Sequence, residues 1–375
     1  MLNERRILFM SDIGFISLPF QPMKSMKTPF YFSTAIWGEY LANLFGGTYY
    51  LGINSLHSFK LYDEEEYSEF EKKFDFINKK VVYYDRDFID GVSQIISQLY
   101  KSKDIRIISK VIGVCDCGRV ELTRAELVRL SVNKVGMQLV EEKEGEFICK
   151  HCKKKLIFQN VESLFLCFKD KELYEEMGAH PGYLDSDLNH FRKSLRGNQM
   201  RISRVRNTNV PVVIETKQFY LDIDILWKFI PLLLNNKMVV VVASAKHMFS
   251  LFVINYLSKI MKRKSVYFVG LPFIQTDKLT DEILHFYSDN RHKNALKLLV
   301  VLGIGWSKKN IFLQEATCKY FMSSKTKNNE LIEYIYSKVF EENDWLKIRK
   351  KIFSYTQLQT VLNLRKYEID NRRID

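Results

Sequence analysis

The sequence predicts an α/β protein: a doubly wound parallel sheet, interrupted by an insertion of different character and followed by a short α-helical segment. Three observations predict it. Strand-like and helix-like apolar periods alternate near the N-terminus. The same alternation returns well after residue 200. Between the two lies a polar stretch with closely paired cysteines that fits neither period. At 375 residues the chain is long for one compact domain, so several units are expected. The expected division is 1–105 for the first half of the core and 106–200 for the insertion. Residues 201–305 then form the second half of the core, and 306–375 a basic α-helical segment.

The elements follow in order. Ile7–Met10 reads as a short buried strand. Ser33 to Phe45 carries apolar residues at helical spacing until Gly46-Gly47 stops it, and Thr48–Ile53 reads as a second strand. Tyr62 to Phe74, acidic and then basic, reads as a solvated stretch. Phe88 to Tyr100 is an amphipathic helix with Ile89, Val92, Ile95, Ile96 and Leu99 on one face. Past the insertion, Tyr183–Leu195 is helical and Phe219–Asp224 is an aromatic strand. Val239–Val242 and Val266–Val269 flank a helix over His247–Met261, a further βαβ unit. Asn329–Phe340 is helical, and Trp345–Lys351 is basic, either a charged helix face or an RNA contact.

Composition narrows the setting. Apolar residues make up 46%, enough for a sizeable core, and only 7 Pro and 16 Gly argue against long disordered linkers. A formal charge of +13 has two readings, an acidic partner such as nucleic acid or a lysine-rich solvated face. No signal segment is read, because Met1–Arg6 runs straight into the first strand. Met238–Ser244 and Leu298–Leu302, the longest apolar runs, are strand-sized and far short of the ~18–20 residues that cross a bilayer. A cytoplasmic setting without a membrane partner is therefore expected. There thiols stay reduced, and paired cysteines point to metal rather than disulfide.

The sharpest local pattern is Cys115-Asp116-Cys117 with Cys149-Lys150-His151-Cys152. Thiolates two or three positions apart can face one ion from a tight turn, and two such knuckles complete a tetrahedral zinc site. Four unrelated buried thiols are the bland alternative, and His151 is an alternative ligand. With no catalytic base beside the knuckles and no open ligand position, the zinc would be structural. Cys167 and Cys318 stand apart and read as small core residues.

Read with its flanks, the insertion resembles that of class I aminoacyl-tRNA synthetases, most of all the methionyl type. Glu162–Phe168 is followed by Ile202-Ser203-Arg204, Pro211 and an aromatic strand ending in Asp224. In the family a knuckled insertion returns to the nucleotide-binding fold through just such a series. The resemblance covers residues 5–310, leucyl- and valyl-type relatives share parts of it, and only the knuckles with the Ile-Ser-Arg block are specific. It implies a Rossmann-like, nucleotide-binding core with a zinc-binding insertion, ATP with Mg²⁺, tRNA, and an amino acid or aminoacyl-adenylate-like ligand. Switch-point logic places such a ligand at the strand ends near Ser11, Asp12, Met26, Lys27, Asp224, Lys246 and His247.

The same alignment exposes departures. Where the family has His-x-Gly-His this chain has Met26-Lys27-Thr28-Pro29, and where it has Gly-Lys-Asp this chain has Ala245-Lys246-His247. Gln275–Thr280 stands where the Lys-Met-Ser-Lys-Ser loop is expected and keeps one lysine, Lys278. Met322–Lys327 looks closer to that loop, but it lies downstream and reads as a Ser/Lys-rich turn or as a displaced signature. Lys27, Lys246 and Lys278 are the catalytic candidates that survive, and with Lys24 they could cradle an anion. Losing one donor to developing phosphate charge costs about 10²–10³ in rate, so the ATP site the resemblance implies is in doubt. Two readings stand: a relative degenerate in adenylate formation that binds tRNA, other RNA or an aminoacyl or nucleotide ligand, and a divergent aminoacyl-tRNA ligase with a rewritten ATP site. A plain zinc-ribbon nucleic-acid protein is the third. A protein partner that completes the site is compatible with each. Residues 311–375 are few for an anticodon-reading bundle, so any bound tRNA would be held by its acceptor end.

Overall fold

The computed structural model describes residues 13–20, 29–54, 64–123, 139–168, 199–208, 210–244, 247–262, 265–271, 273–276, 278–303, 310–312 and 318–319. The expected strand Ile7–Met10, the helices Tyr183–Leu195 and Asn329–Phe340, and the segments Met322–Lys327 and Trp345–Lys351 lie outside them.

The first described strand is β1 (Ile13–Phe20), and a 3-10 turn at Pro29–Phe32 leads into α1 (Ser33–Phe45). Gly46 ends α1 at φ 64, and the Gly47 N–H closes onto the Ala42 carbonyl at 2.8 Å. A Cβ on Gly47 would stand 2.7 Å from the Ile13 carbonyl, so the turn needs glycine for close approach as well. β2 spans Thr48–Ile53, as the sequence predicts. The stretch expected to be solvated instead contains helix α2 (Glu64–Phe74). Phe70 and Phe74 are fully buried and meet edge to face at 4.4 Å. Two aromatics at i, i+4 outweigh the charges around them. The short β3 (Lys80–Tyr83) adds the sheet edge. α3 (Arg86–Lys101) starts on Asp85, whose carboxylate accepts the Phe88 N–H at 2.8 Å, and buries Phe88, Val92, Ile95, Ile96 and Leu99.

The middle of the chain is antiparallel. It supplies β4 (Ile105–Val114), β5 (Glu121–Thr123), β6 (Val140–Lys143), β7 (Glu146–Cys149), β8 (Ile157–Cys167) and β9 (Gln199–Arg201). β4 and β8 pair from Ile105↔Leu166 to Val114↔Ile157, flanked by β5 and β9. Leu164–Leu166 at the root are buried, whereas Ile157–Asn160 near the tip are exposed. The arm therefore lifts its far end away from the core.

A second antiparallel sheet follows, in the order β10-β12-β11, from β10 (Ser203–Arg204), β11 (Pro211–Ile214) and β12 (Lys217–Leu221). The expected strand Phe219–Asp224 stops at Leu221, because Asp222 caps α4 (Ile223–Leu226). It also lies outside the parallel sheet, to which residues 200–221 were expected to contribute. α5 (Ile230–Leu233) leads to β13 (Met238–Ser244), α6 (Met248–Met261) and β14 (Ser265–Leu271). After β15 (Phe273–Gln275) come α7 (Asp281–Ser288), α8 (Lys293–Leu298) and β16 (Asn310–Phe312), which pairs in parallel with β15. Leu298–Leu302, strand-sized in sequence, is helical: α8 passes into a π-turn at Leu299–Gly303, and Trp37 Nε1 donates to the Val300 carbonyl at 3.2 Å. A short, wholly buried apolar run carries no period to separate the two states.

The central sheet is all parallel in the order β14-β13-β1-β2-β3. Strands from both ends of the chain thus share one sheet, joined where Phe15 registers with Val240. Val240 and Val242 face one core with Phe15, Leu51 and α1; Val239, Val241 and Ala243 face the other with α3 and α6. Both faces are covered, which is why β13 reads as continuous valine. α1 after β1 and α6 after β13 leave for opposite faces, so the chain diverges at the carboxyl ends of these neighbours. Beneath the first face Lys297 Nζ sits 2.9 and 2.8 Å from the two Glu39 oxygens, and the Asn78 N–H adds a bond of 2.9 Å to Glu39. Among the described residues no helix is long and apolar enough to cross a membrane.

Candidate functional site

Among the described residues, two places gather the side chains that the sequence singles out. The first is the tip of the β4–β8 arm. Cys115 follows β4, and Gly118 turns the chain at φ +68, its N–H donating to the Cys115 carbonyl at 2.9 Å. The Cys115 N–H donates to the Val120 carbonyl at 3.1 Å, and the Val120 N–H points at Cys115 Sγ at 3.4 Å. The second knuckle starts where β7 ends, at Cys149. Lys153 takes φ 59, and its N–H closes on the Cys149 carbonyl at 2.8 Å. Each turn bends back on its own cysteine.

The sulfurs of Cys115, Cys117, Cys149 and Cys152 all lie within 4.8 Å of one another. Cys117 and Cys149 are 3.6 Å apart, close to the ~3.8 Å edge of a tetrahedron with metal–sulfur bonds of ~2.3 Å. Cys115 and Cys117 stand closer, at 2.9 Å. Lost solvent and the neighbouring thiols push the Cys117 thiol up to about 12, and a cation held among the sulfurs would favour its thiolate. The set could hold a metal ion, with four protein donors and no vacancy for a substrate. His151 is exposed and outside this group. Among the described residues the apolar support is small: Val120, Val140 and Leu156, with Leu122 and Phe147 partly buried against them. Asp116 and Lys154 pair across the two knuckles at 2.9 Å, an exposed contact that solvent screens.

The second place is the carboxyl end of β13. Ser11, Asp12, Met26, Lys27 and Lys246 lie outside the described residues. Asp224 is exposed in the first turn of α4, and His247 is exposed at the start of α6. Trp227 joins the two segments, its ring edge-on to His247 at 6.4 Å. Lys278 is exposed on a different element, the turn between β15 and α7.

Sequence reasoning missed Lys228. It is buried, its Nζ donates to the Asp224 carbonyl at 2.5 Å, and it lies 4.7 Å above the Trp227 ring. Burial brings its ammonium down to about 8, against the opposing pull of Asp224 and Asp222. Displaced solvent and the Asp222 charge raise the Asp224 carboxyl, although its surface stays accessible. The available signal was a lone lysine in the apolar run Ile225–Leu234.

The Ile202-Ser203-Arg204 block is a joint between sheets. The Ile202 N–H donates to the Leu164 carbonyl at 2.8 Å, and its carbonyl accepts the Asp222 N–H at 2.9 Å. Ser203 Oγ accepts the Leu164 N–H at 2.8 Å, and Arg204 Nη2 meets Asp222 Oδ2 at 2.5 Å. Asp222, Asp224, Lys228 and Arg204 thus form one charged group beside the strand ends.

No family model matches the chain, and no curated protein does. Solved structures do. Mycobacterium tuberculosis methionyl-tRNA synthetase in complex with methionyl-adenylate superposes with a TM-score of 0.57 at 8% identity, over 85% of this chain and 69% of that one. A second methionyl-adenylate-bound structure gives 0.57 at 9% over 86% and 70%, and the apo form 0.54 at 8% over 86% and 67%. At such identity the likeness is one of fold: the mostly parallel α/β architecture of class I synthetases, with a cysteine cluster compatible with metal.

Proposed function

We propose that this chain is a methionyl-type, class I aminoacyl-tRNA-synthetase-like protein that holds a structural Zn²⁺ and binds tRNA or an aminoacyl or nucleotide ligand without ordinary adenylate formation. The observation that carries the reading is the combination of a switch-point parallel sheet with an S₄ knuckle pair on an arm inserted between its halves. Residues 1–105 and 201–305 are the two halves of the core, 106–200 the connective insertion, and 306–375 a C-terminal segment. Cys115, Cys117, Cys149 and Cys152 would hold the zinc, which would fix the two knuckles relative to each other. The ligand would lie near Ser11, Asp12, Asp224, Lys246 and His247. The positive charge of +13 supports an RNA partner, in a soluble and cytoplasmic setting.

Loss of adenylate formation rests on the residues at Met26–Pro29, Ala245–His247 and Asp277–Thr280. They lack the imidazoles, the aspartate and the Ser/Lys pattern that would balance polyphosphate charge. They do not fit ATP in the family's manner, and no step is derived through it. A second reading, a divergent ligase, draws on the buried Lys228 beside Asp224, since perturbed lysines cluster at functional sites. One assay separates the two: ATP–pyrophosphate exchange with each amino acid in turn, beside tRNA binding over a salt series. We expect no exchange at synthetase rates and a tRNA affinity that falls steeply with salt. Robust exchange with any amino acid would establish the ligase instead.

A further inference from the structure

Glu121 opens β5 just past the first knuckle, and its carboxylate is 2% exposed. That carboxylate accepts two backbone N–H groups from another part of the chain, Val205 at 2.8 Å and Arg206 at 3.1 Å. Its own carbonyl accepts from the Arg204 guanidinium at 3.3 Å and from Arg201. Arg206 reaches back into the knuckle, donating to the Gly118 carbonyl, while its Nε stays 4.0 Å from Glu121. Segment 201–206 is therefore held by the knuckle turn itself, through charge-assisted bonds with little water around them.

The far end of the segment is equally engaged. Arg204 pairs with Asp222 at 2.5 Å, Asp222 caps α4 by accepting the Asp224 N–H at 3.1 Å, and the Asp224 carbonyl holds Lys228 Nζ at 2.5 Å. Trp227 and His247 complete the path to the start of α6. The contacts form an unbroken chain from the cysteines to the strand ends.

We infer that Glu121 is a positioning residue that couples metal occupancy of the knuckle to the geometry of the strand-end site, through Arg206, Arg204 and Asp222. The inference rests on the reading of the four cysteines as a metal site. With an ion bound, Cys115 and Cys117 fix the turn that carries Gly118 and Glu121. Without it, four crowded thiols have no common partner, the turn relaxes, and both ends of its grip on segment 201–206 loosen. The strand-end site then loses the support that orients Asp222 and, behind it, Lys228. Segment 201–206 is the element whose two arrangements both sites bias.

The test uses the full chain and amide hydrogen exchange, with metal content measured on each sample. Chelation should speed exchange across 201–206 and 222–228 by roughly 5- to 150-fold, the usual range for coupled sites, and leave β13 unchanged. Glu121→Ala should keep one metal per chain, exchange quickly in both segments from the start, and respond little to chelator. Glu121→Gln, which retains an acceptor without the charge, should fall between and guards against misfolding of the alanine variant. Chelation that loosens the knuckle while 201–206 and 222–228 stay protected would overturn the coupling and spare the metal site. So would a Glu121→Gln protein that responds to chelator as the parent does. A chain that takes up no metal even when zinc is supplied would remove the metal reading and the coupling together.

Discussion

The arm tip and the core beneath the parallel sheet both bury ionisable side chains, and they balance them in opposite ways. In the core, Glu39 on α1 meets a cation supplied by the chain itself, Lys297 on α8, with the Asn78 N–H as a further donor. At the tip the four cysteines offer only would-be anions, and the nearby Lys154 is exposed and paired with Asp116 rather than buried among them. The apolar backing differs as well. Among the described residues the core has dozens of buried side chains on two faces, whereas the tip rests on Val120, Val140 and Leu156 with Leu122 and Phe147 partly buried beside them. The core is self-sufficient, and the tip is conditional on what it binds.

Removing the metal therefore gives the largest expected effect. Structural zinc contributes apparent binding energies of about 10–16 kcal/mol, more than the small apolar cluster described at the tip can replace. Chelation or Cys149→Ser should abolish metal content and the exchange protection of 140–156. The parallel sheet should keep its cooperative melt. A melt that disappears along with the metal would mean that the two regions are one unit.

The complementary break lies in the core. Lys297→Met strands the Glu39 carboxylate in a site where its side chain is 4% exposed, which costs about 3–5 kcal/mol. Metal stoichiometry should not change. Adding Glu39→Leu should recover much of the loss, because the cost comes from the unpaired charge rather than the missing bond. Chemical denaturation of the two variants with metal analysis on each checks both statements.

Lys228 belongs to neither pattern. It is buried against a carbonyl and an indole ring rather than a full counter-ion, and burial lowers it from 10.5 to about 8. Below about pH 8 both folded and unfolded chains hold its proton, and the buried charge counts against the fold. Between about 8 and 10.5 the unfolded chain keeps a proton the native state has shed, so stability should rise with pH. The rise is on the order of 3 kcal/mol over that window. Stability measured from pH 7 to 10.5 should show it in the parent and lose it in Lys228→Met. Equal slopes in the two proteins would mean that the lysine is better solvated than its surroundings imply.

What the sequence made legible follows the same division. The knuckles could be read because within each one the donors and the turn residue lie a few positions apart, and α1 with β2 because Gly46 and Gly47 punctuate them locally. α2 escaped because two phenylalanines are a faint stripe among glutamates and lysines. β3 is too short to alternate, and the Leu298–Leu302 run is apolar on every side. Glu121 could not be seen as functional, since Val205 and Arg206 lie on a segment that only the fold brings near, whereas Lys228 left a faint local signal, a lone lysine four positions past Asp224 in an apolar run. Ser11, Asp12, Lys27 and Lys246 stay as sequence expectations at the strand ends.

The smallest expected effect compares the same backbone conformation in both regions. Lys103, after α3, and Lys153, in the second knuckle, hold φ 62 and φ 59, the left-handed region that disfavours any side chain with a Cβ. At Lys103 the conformation closes the helix: its N–H bonds the Tyr100 carbonyl at 3.0 Å, and the Asp104 N–H bonds that of Leu99 at 2.9 Å. Glycine there relieves about 1–2 kcal/mol of strain and adds back roughly 0.4–1 kcal/mol of unfolded-chain entropy. Lys103→Gly should thus stabilise the fold by about 0.5–1 kcal/mol, read as a higher denaturation midpoint. Lys153→Gly relieves the same strain where folding and metal binding are one event, so its gain should appear as tighter metal retention in a chelator competition. Its effect on the core's midpoint should be negligible. If Lys153→Gly raised that midpoint as much as Lys103→Gly, the tip would be sharing its stability with the sheet, and its dependence on the metal would have to be abandoned.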